Sequence, residues 1–217
     1  MNRTMFAATA ATAALIVGVA LTLGQAAKVE RTDAEKKAIE NVRRLGGLVL
    51  DLAQNDPRLE VGYQVADGPV TDEHLTALKD LKGLAHLNLR GRPVSDAHLA
   101  HLKDLTSLSR LYLERTKVTD AGLAHLKGLA NLEYLNLYST EVTDAGLVHL
   151  EGLKKLKNVF VWQTKVTQAG ADKLRKALTG CDVNMGIDFS KLPPPETKKE
   201  EKKEEKKEEK KKKKDAA

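Results

Sequence analysis

Histidine side chains recur at a spacing of 24 residues, and histidine binds metal ions and transfers protons. His101, His125 and His149 form this series, and His98 precedes its first member by three residues. Two histidines at positions i and i+3 of a helix can chelate zinc. No cysteine, aspartate or glutamate accompanies the series, so we interpret the histidines as polar residues of a helix surface and predict no metal site.

A second series with the same spacing consists of aspartates, which in pairs could act as a general acid and base. Its members are Asp72, Asp96, Asp120 and Asp144. Each follows a Val-Thr or Val-Ser pair at a position where a helix is expected to begin. Carboxylates at such positions cap free backbone N–H groups, so we interpret the aspartates as helix caps, although in the unit 118–141 either Thr119 or Asp120 is suited to be the N-cap.

Motifs of known enzyme classes are missing from the sequence. There is no Gly-x-Ser-x-Gly, no Walker-type loop and no Gly-x-Gly-x-x-Gly pattern. The only cysteine, Cys181, is interpreted as a small apolar core residue, and a single cysteine allows no intramolecular disulfide. We therefore expect a protein without catalytic residues or a cofactor.

Both series belong to a repeat that spans the middle of the chain. Val70-Thr-Asp-Glu-His-Leu75 recurs with variations four times at intervals of 24 residues. Four full units result, followed by a partial fifth: 70–93, 94–117, 118–141 and 142–165. Within a unit, leucines at i, i+3 and i+6 predict a short helix and leucines at i and i+2 predict a strand. One unit cannot bury its leucines alone, so the units are expected to stack around a continuous core.

The units resemble the repeats of exported bacterial leucine-rich-repeat proteins, and the segment from Thr119 to Val142 is the clearest copy. The resemblance covers about residues 30–190. It implies an α/β leucine-rich-repeat solenoid, a horseshoe with parallel strands on the concave face and short helices on the convex face. It also implies a binding scaffold with many unrelated partners. The repeats are similar to those of F-box ubiquitin-ligase adaptors too, but no F-box segment is present.

Strand residues that alternate with the buried leucines are predicted to form outward-facing columns. The three columns are His86, Arg110, Tyr134 and Asn158; Asn88, Tyr112, Asn136 and Phe160; and Arg90, Glu114, Tyr138 and Trp162. Five of the chain's eight aromatic residues lie in these columns. Aromatic residues favour strands in general, but they also dominate binding hot spots. We predict a protein or glycan ligand at Arg110, Tyr112, Tyr134, Asn136, Tyr138, Asn158, Phe160 and Trp162, with a protein as the first choice.

Segments on either side of the repeats are predicted to cap the solenoid. In the N-terminal cap, 28–69, Thr32 and Glu35 begin a helix that Gly46-Gly47 ends, and Leu48, Leu50 and Leu52 alternate as a strand. A second strand follows from Leu59 to Val65. The C-terminal cap, 166–190, contains a last helix from Ala169 to Leu178 and a strand from Cys181 to Ile187.

Both ends of the chain differ from the repeats in composition. Residues 1–27 contain an apolar run and small residues at a potential cleavage site, so we expect a signal peptide or an N-terminal anchor and export across the inner membrane. Residues 191–217 hold twelve lysines and eight acidic residues, which account for +4 of the net charge of +6. The remaining +2 leaves no basic stripe for nucleic acid.

The Lys/Glu tail, residues 191–217, has no apolar core and is expected to stay solvated. Its terminal lysines could make weak contact with an anionic membrane or polymer. This leaves a second hypothesis, in which the repeats are a structural spacer and the tail makes the main contact. We expect a monomer in either case.

Overall fold

The computed structural model describes residues 30–64, 66 and 68–186. The predictions for the N-terminal segment and the Lys/Glu tail lie outside the described residues, as do Val65 and Ile187 of the two predicted cap strands. Helices occupy Asp33–Arg44 (α1), Asp72–Thr76 (α2), Asp96–Leu99 (α3), Asp120–Leu123 (α4), Asp144–Leu147 (α5) and Gln168–Ala177 (α6). Strands occupy Leu48–Asp51 (β1), Leu59–Gly62 (β2), Leu84–Asn88 (β3), Arg110–Tyr112 (β4), Tyr134–Asn136 (β5), Asn158–Phe160 (β6) and Asp182–Asn184 (β7).

All seven strands form one sheet, in which their order is the same as along the chain. Strands β2 to β7 are parallel to one another, and only β1 pairs antiparallel with its neighbour β2. From β3 onward each residue pairs with the residue 24 positions later, as in the row that joins His86, Arg110, Tyr134, Asn158 and Asp182. The fold is thus the leucine-rich-repeat solenoid that the periodicity predicts.

Each of the four full repeat units forms one coil with a short α-helix, one turn of 3₁₀-helix and a strand, and its leucines form the core. In the unit 118–141 six leucines are fully buried: Leu123, Leu126, Leu129, Leu132, Leu135 and Leu137. The same positions are buried in neighbouring coils, so the core runs along the solenoid without interruption. Burial of this apolar column between strands and helices provides the main stabilisation, because no coil has a core of its own.

Three aspartates of the 24-residue series link neighbouring coils, so their interpretation as caps of their own helices is wrong. Asp96, Asp120 and Asp144 each accept hydrogen bonds of 2.6–2.8 Å from the backbone N–H and the hydroxyl of the threonine 23 positions later. The helices themselves begin at threonines, such as Thr119, whose hydroxyl accepts from the N–H of Ala121. The carboxylate therefore orients the N-cap of the next coil.

Glycine at the fifth position of a coil makes room for this carboxylate. A Cβ atom at Gly122, Gly146 or Gly170 would overlap with Oδ1 of the aspartate in the preceding coil. Neighbouring coils therefore approach each other closely at these glycines. His98 occupies the same position in the second unit, and its Nδ1 takes over the hydrogen bond with the Ser95 N–H, at 3.0 Å. Asp72, one coil earlier, lies 3.1 Å from Nε2 of His101 instead.

The N-terminal cap contains the predicted helix and a strand whose leucines face away from the core. Helix α1 begins at the Thr32 cap, buries Ala38, Ile39 and Val42, and ends before Gly46, as predicted. Strand β1 follows, but Leu48 and Leu50 are 45% and 48% exposed, whereas Val49 is buried. The reason is the register: Val49 lies opposite the buried Val61, so its neighbours point to the other face of the sheet.

In the C-terminal cap the helix lies where it was predicted, and the strand, Asp182–Asn184, is shorter than predicted. Helix α6 extends from Gln168 to Ala177 and covers the last coil with Ala171 and Leu174. Cys181 is buried, and burial raises the pKa of its thiol to about 11, so the thiol is protonated and unreactive at neutral pH. Among the helices in the described ranges, none has the length and apolar character needed to span a bilayer.

Candidate ligand-binding face

One face of the sheet carries the side chains that alternate with the buried leucines, and we call it the concave face. Leu111, Leu135 and Val159 are fully buried on the other side of β4, β5 and β6. Their neighbours are therefore directed away from the core. All eight residues predicted to bind a ligand lie on the concave face or at its edge: Arg110, Tyr112, Tyr134, Asn136, Tyr138, Asn158, Phe160 and Trp162.

Aromatic rings of neighbouring coils are in contact on this face. The ring centroids of Tyr112 and Tyr134 are 5.0 Å apart, and those of Tyr134 and Phe160 are 5.2 Å apart. Tyr138 and Trp162 form a further pair at 5.2 Å. Tilted pairs at these distances are favourable, and the mutual packing restricts ring rotation before any ligand binds.

Two arginines are stacked on these rings. The guanidinium of Arg110 lies 5.7 Å from the centroid of Tyr134, and that of Arg115 lies 5.6 Å from the centroid of Tyr138. Arg115 was not among the predicted residues. It lies just after β4 with a φ of 56°, at the same repeat position as Gly91, and this left-handed conformation directs the chain into the turn. Such cation–π contacts show that the π-faces are available to cations.

Asn136 connects three residues at the centre of the face by hydrogen bonds. Its amide donates hydrogen bonds of 2.9 Å to Oε1 of Glu114 and 3.3 Å to the hydroxyl of Tyr134. Its Oδ1 accepts from the backbone N–H of Tyr138 at 3.0 Å. The side chain thus has a structural role in addition to the predicted contact with a ligand. Asn158, in the neighbouring strand, is half-buried.

Glu114 faces away from the core, as its column predicts, but it is buried. The residue is only 6% exposed, and within the part of the chain that the structure describes Oε2 has no hydrogen-bond partner. Burial raises the pKa of its carboxyl group above the ordinary value, an effect that the nearby charge of Arg90 reduces. A carboxylate that is removed from water and bonded through one oxygen only is a costly group to keep in a fold.

The unpartnered carboxylate forms part of the wall of a pocket with a volume of about 200 Å³. The lining residues are Arg90, Glu114, Asn136, Tyr138, Phe160, Trp162 and Asn184. Four of them were predicted to bind a ligand, while Arg90, Glu114 and Asn184 were not. Asn184 follows Phe160 at the repeat interval, so an extension of the columns into the fifth coil would have identified it. The sequence pattern contains no signal that predicts the burial of Glu114.

The residues with potential metal or acid–base chemistry are dispersed over the convex side. His98 and His101 bond to Ser95 and Asp72 respectively, and so do not share a ligand position. In residues 30–64, 66 and 68–186 there is no cluster of three or more His, Cys, Asp or Glu side chains that could hold a metal ion.

No protein-family model matches the chain, and a comparison with curated proteins gives no significant match. Among solved structures, internalin C2 of Listeria monocytogenes is similar over 59% of this chain, with 25% identity and a TM-score of 0.42. The ectodomain of the receptor kinase SOBIR1 of Arabidopsis thaliana is similar over 72%, with 13% identity and a TM-score of 0.47. A leucine-rich-repeat protein of Leptospira interrogans is similar over 54%, with 19% identity and a TM-score of 0.36.

The chain spans 64% of the internalin C2 structure, 93% of the receptor ectodomain and 34% of the Leptospira protein. These likenesses are too distant to carry a functional argument. The chain's own geometry shows a parallel sheet, a buried column of leucines and a register of 24 residues between strands. On that geometry the chain has a leucine-rich-repeat fold.

Proposed function

We propose that the protein is a recognition module without enzymatic activity, and that its concave face binds a protein ligand. The observation that carries this proposal is the contiguous cluster of aromatic rings and arginines on β4, β5 and β6 and the turns after them. Solenoids commonly use their concave surface for binding. Tyrosine, tryptophan and arginine are the residues that contribute most to protein–protein affinity.

The state of these side chains before binding supports the proposal. Ring–ring and ring–guanidinium contacts already hold Tyr134 and Tyr138, so little side-chain freedom remains to be lost when a ligand binds. Trp162 is 44% exposed although it is the largest apolar side chain of the face. An exposed tryptophan beside a pocket is a typical anchor for a partner.

A glycan is the second candidate for the ligand. Asn136, Asn158 and Asn184 lie beside the rings in neighbouring strands. Amide groups and aromatic rings together can bind sugar hydroxyls and stack on sugar rings. We place the protein ligand first because arginines, which protein interfaces favour, lie on the rings themselves.

Capture from a cell-envelope extract tests the proposal. Three immobilised baits are compared: the full chain, the Tyr138→Ala/Phe160→Ala/Trp162→Ala variant, and a Lys127→Ala/Val148→Ala variant with changes on the convex side only. We expect a partner that the first and third baits retain and the second loses, with urea unfolding as the check that all three are folded. Equal retention by all three baits would contradict the proposal, and a partner removed by glycosidase treatment of the extract would favour the glycan.

The choice of an envelope extract depends on a further part of the proposal, namely that the protein is exported and acts as a monomer. Support for export comes from the apolar run Ala13–Leu23 and the small residues after it. Mass spectrometry of the protein isolated from cells distinguishes a cleaved signal from a retained anchor. A bait lacking the Lys/Glu tail tests the spacer alternative, which predicts loss of binding on deletion of the tail alone.

A further inference from the structure

The pocket at Glu114 contains a buried carboxylate oxygen to which none of the described residues donates a hydrogen bond. Within the described residues, Oε1 is bonded to Asn136, Oε2 has no partner, and no ion pair to Glu114 exists within 4.0 Å. The residue is only 6% exposed, which is unusual for a glutamate that forms no ion pair. A buried carboxylate is normally paired with a cation or with several hydrogen-bond donors.

Aromatic rings surround the same space. Tyr138, Phe160 and Trp162 line the pocket together with Glu114, and Tyr138 and Trp162 are 5.2 Å apart. Arg115 already lies over the ring of Tyr138, which shows that a cation can approach this cluster. Rings and a carboxylate together stabilise a positive charge by cation–π attraction and by direct pairing.

The shape of the space restricts what the cation can be. A volume of about 200 Å³ suits a single side chain and not a sugar chain or a helix. A lysine side chain combines an apolar stem, which can lie along the rings, with an ammonium group that donates three hydrogen bonds. Arg90 also lines the pocket, but it is exposed and makes no ion pair with Glu114, so among the described residues Oε2 still has no partner.

We propose that this pocket binds a lysine side chain of the protein ligand, with the ammonium group at Oε2 of Glu114 and the stem against Trp162. The inference rests on the proposed function, because it assigns one contact within the concave face. Pairing removes the cost of the buried charge only when the ligand is present, so the contact contributes to specificity as well as affinity. A neutral partner group would leave the carboxylate uncompensated.

Small probes test the pocket without knowledge of the partner. Trp162 is the only tryptophan, so its fluorescence reports binding directly. The full chain is titrated with N-acetyl-lysine methylamide and with N-acetyl-norleucine methylamide, which has a similar stem without the ammonium group. We expect the lysine probe to bind about tenfold more tightly, which corresponds to about 1.4 kcal/mol.

Three variants make the test specific. Glu114→Gln is expected to remove the preference for the lysine probe, whereas Asp182→Asn, a concave-face carboxylate outside the pocket, is expected to retain it. Arg90→Ala is expected to increase the affinity for the lysine probe, since it removes the nearest competing cation of the pocket. Equal binding of the two probes, or an unchanged preference in Glu114→Gln, would overturn the inference, as would binding of methyl α-glucoside in preference to the lysine probe.

The outcome is separable from that of the proposed function. One outcome is that capture of a partner depends on Trp162 while its affinity is unchanged by Glu114→Gln. The concave face would then remain the binding surface, and the lysine contact would be rejected. Loss of capture with both variants supports both statements. A lysine probe that binds through Glu114 while the triple-alanine bait still retains every partner would support the pocket and reject the proposed function.

Discussion

At the residue scale, Glu114 shows how a site can conflict with stability. Its carboxyl group is buried, has one unpartnered oxygen, and contributes to the pocket of the concave face. Period-two alternation in the sequence predicts that the residue faces away from the core, and this is correct. Its burial depends on Asn136 and on other side chains that lie one coil away, so the alternation within a single strand contains no information about it.

The difference in stability between the Glu114→Gln variant and the wild type should depend on pH. Burial raises the pKa of Glu114 in the folded protein above its ordinary value of 4.5, so the folded state holds this proton more tightly than the unfolded state. The favourable contribution is complete below pH 4.5 and is lost as the pH rises through the raised pKa. We expect Glu114→Gln to have a larger free energy of unfolding than the wild type at pH 7, with the difference decreasing toward pH 4 in urea titrations.

Glu133→Gln is the matched control with the opposite sign. A hydrogen bond from Lys157 lowers the pKa of Glu133, so the ionised group stabilises the folded chain above pH 4.5 and this contribution disappears as the pH falls. The Glu133→Gln variant should be slightly less stable than the wild type at pH 7. The same sign of change in both variants would refute the assignment of the Glu114 shift to burial.

Gly146 offers a second test at the residue scale. A Cβ at this position would overlap with Oδ1 of Asp120, which is fixed by two hydrogen bonds to Thr143. We expect Gly146→Ala to decrease the free energy of unfolding by about 1–3 kcal/mol in urea denaturation. Gly152 in the same coil has open space around its Cβ position, so Gly152→Ala should change stability by less than about 0.5 kcal/mol. Similar losses in the two variants would show that the close contact is not the cause.

At the scale of the elements, the short helices depend on links to their neighbours. Helices α4 and α5 contain only four residues each, too few to be stable in isolation. The aspartate of one coil bonds both to the backbone N–H and to the hydroxyl of the threonine that caps the next coil. The sequence indicates aspartates at helix starts, but an aspartate there is equally suited to cap its own helix or to bond to the cap of the next helix. The distance between stacked coils determines which of the two contacts forms.

Removal of one link should destabilise the solenoid measurably. In Asp120→Ala the N–H and hydroxyl of Thr143 lose their charged acceptor, and we expect the free energy of unfolding to decrease by about 2 kcal/mol. Asp72→Ala is the control from the same series, because Asp72 makes an exposed contact with His101 only, and should cost less than about 0.5 kcal/mol. A loss in Asp72→Ala as large as in Asp120→Ala would contradict the role of the inter-coil bonds.

At the scale of the whole molecule, the constant register between strands places corresponding residues of successive repeats side by side on one surface. Residues as distant in the chain as Arg90 and Asn184 line one pocket because each strand is in line with the strand before it. The period of 24 was sufficient to predict the solenoid, the buried leucines and the three outward columns. The orientation of β1 was not predictable in the same way, because it lies outside the repeat and its antiparallel register places Val49, and not the two leucines, against the core.

The same register explains where the predicted surface was incomplete. The fifth coil departs from the repeat sequence, so Asn184 was not assigned to a column although the sheet continues through β7. Arg115 lies at a turn position that strand alternation does not describe, yet it contacts Tyr138. Residues contributed by turns and by the irregular last coil can therefore be assigned to the surface only from the structure. Those of the regular strands can be assigned from the sequence.

Acrylamide quenching of Trp162, with and without the partner captured from the envelope extract, tests the central claim that the concave face is the ligand surface. The side chain is 44% exposed in the free chain, so its fluorescence should be quenched readily. The account predicts that the bound partner covers Trp162, which would shift its emission to the blue and reduce its quenching several-fold. Quenching that stays unchanged when the partner is fully bound would place the ligand elsewhere and contradict the account.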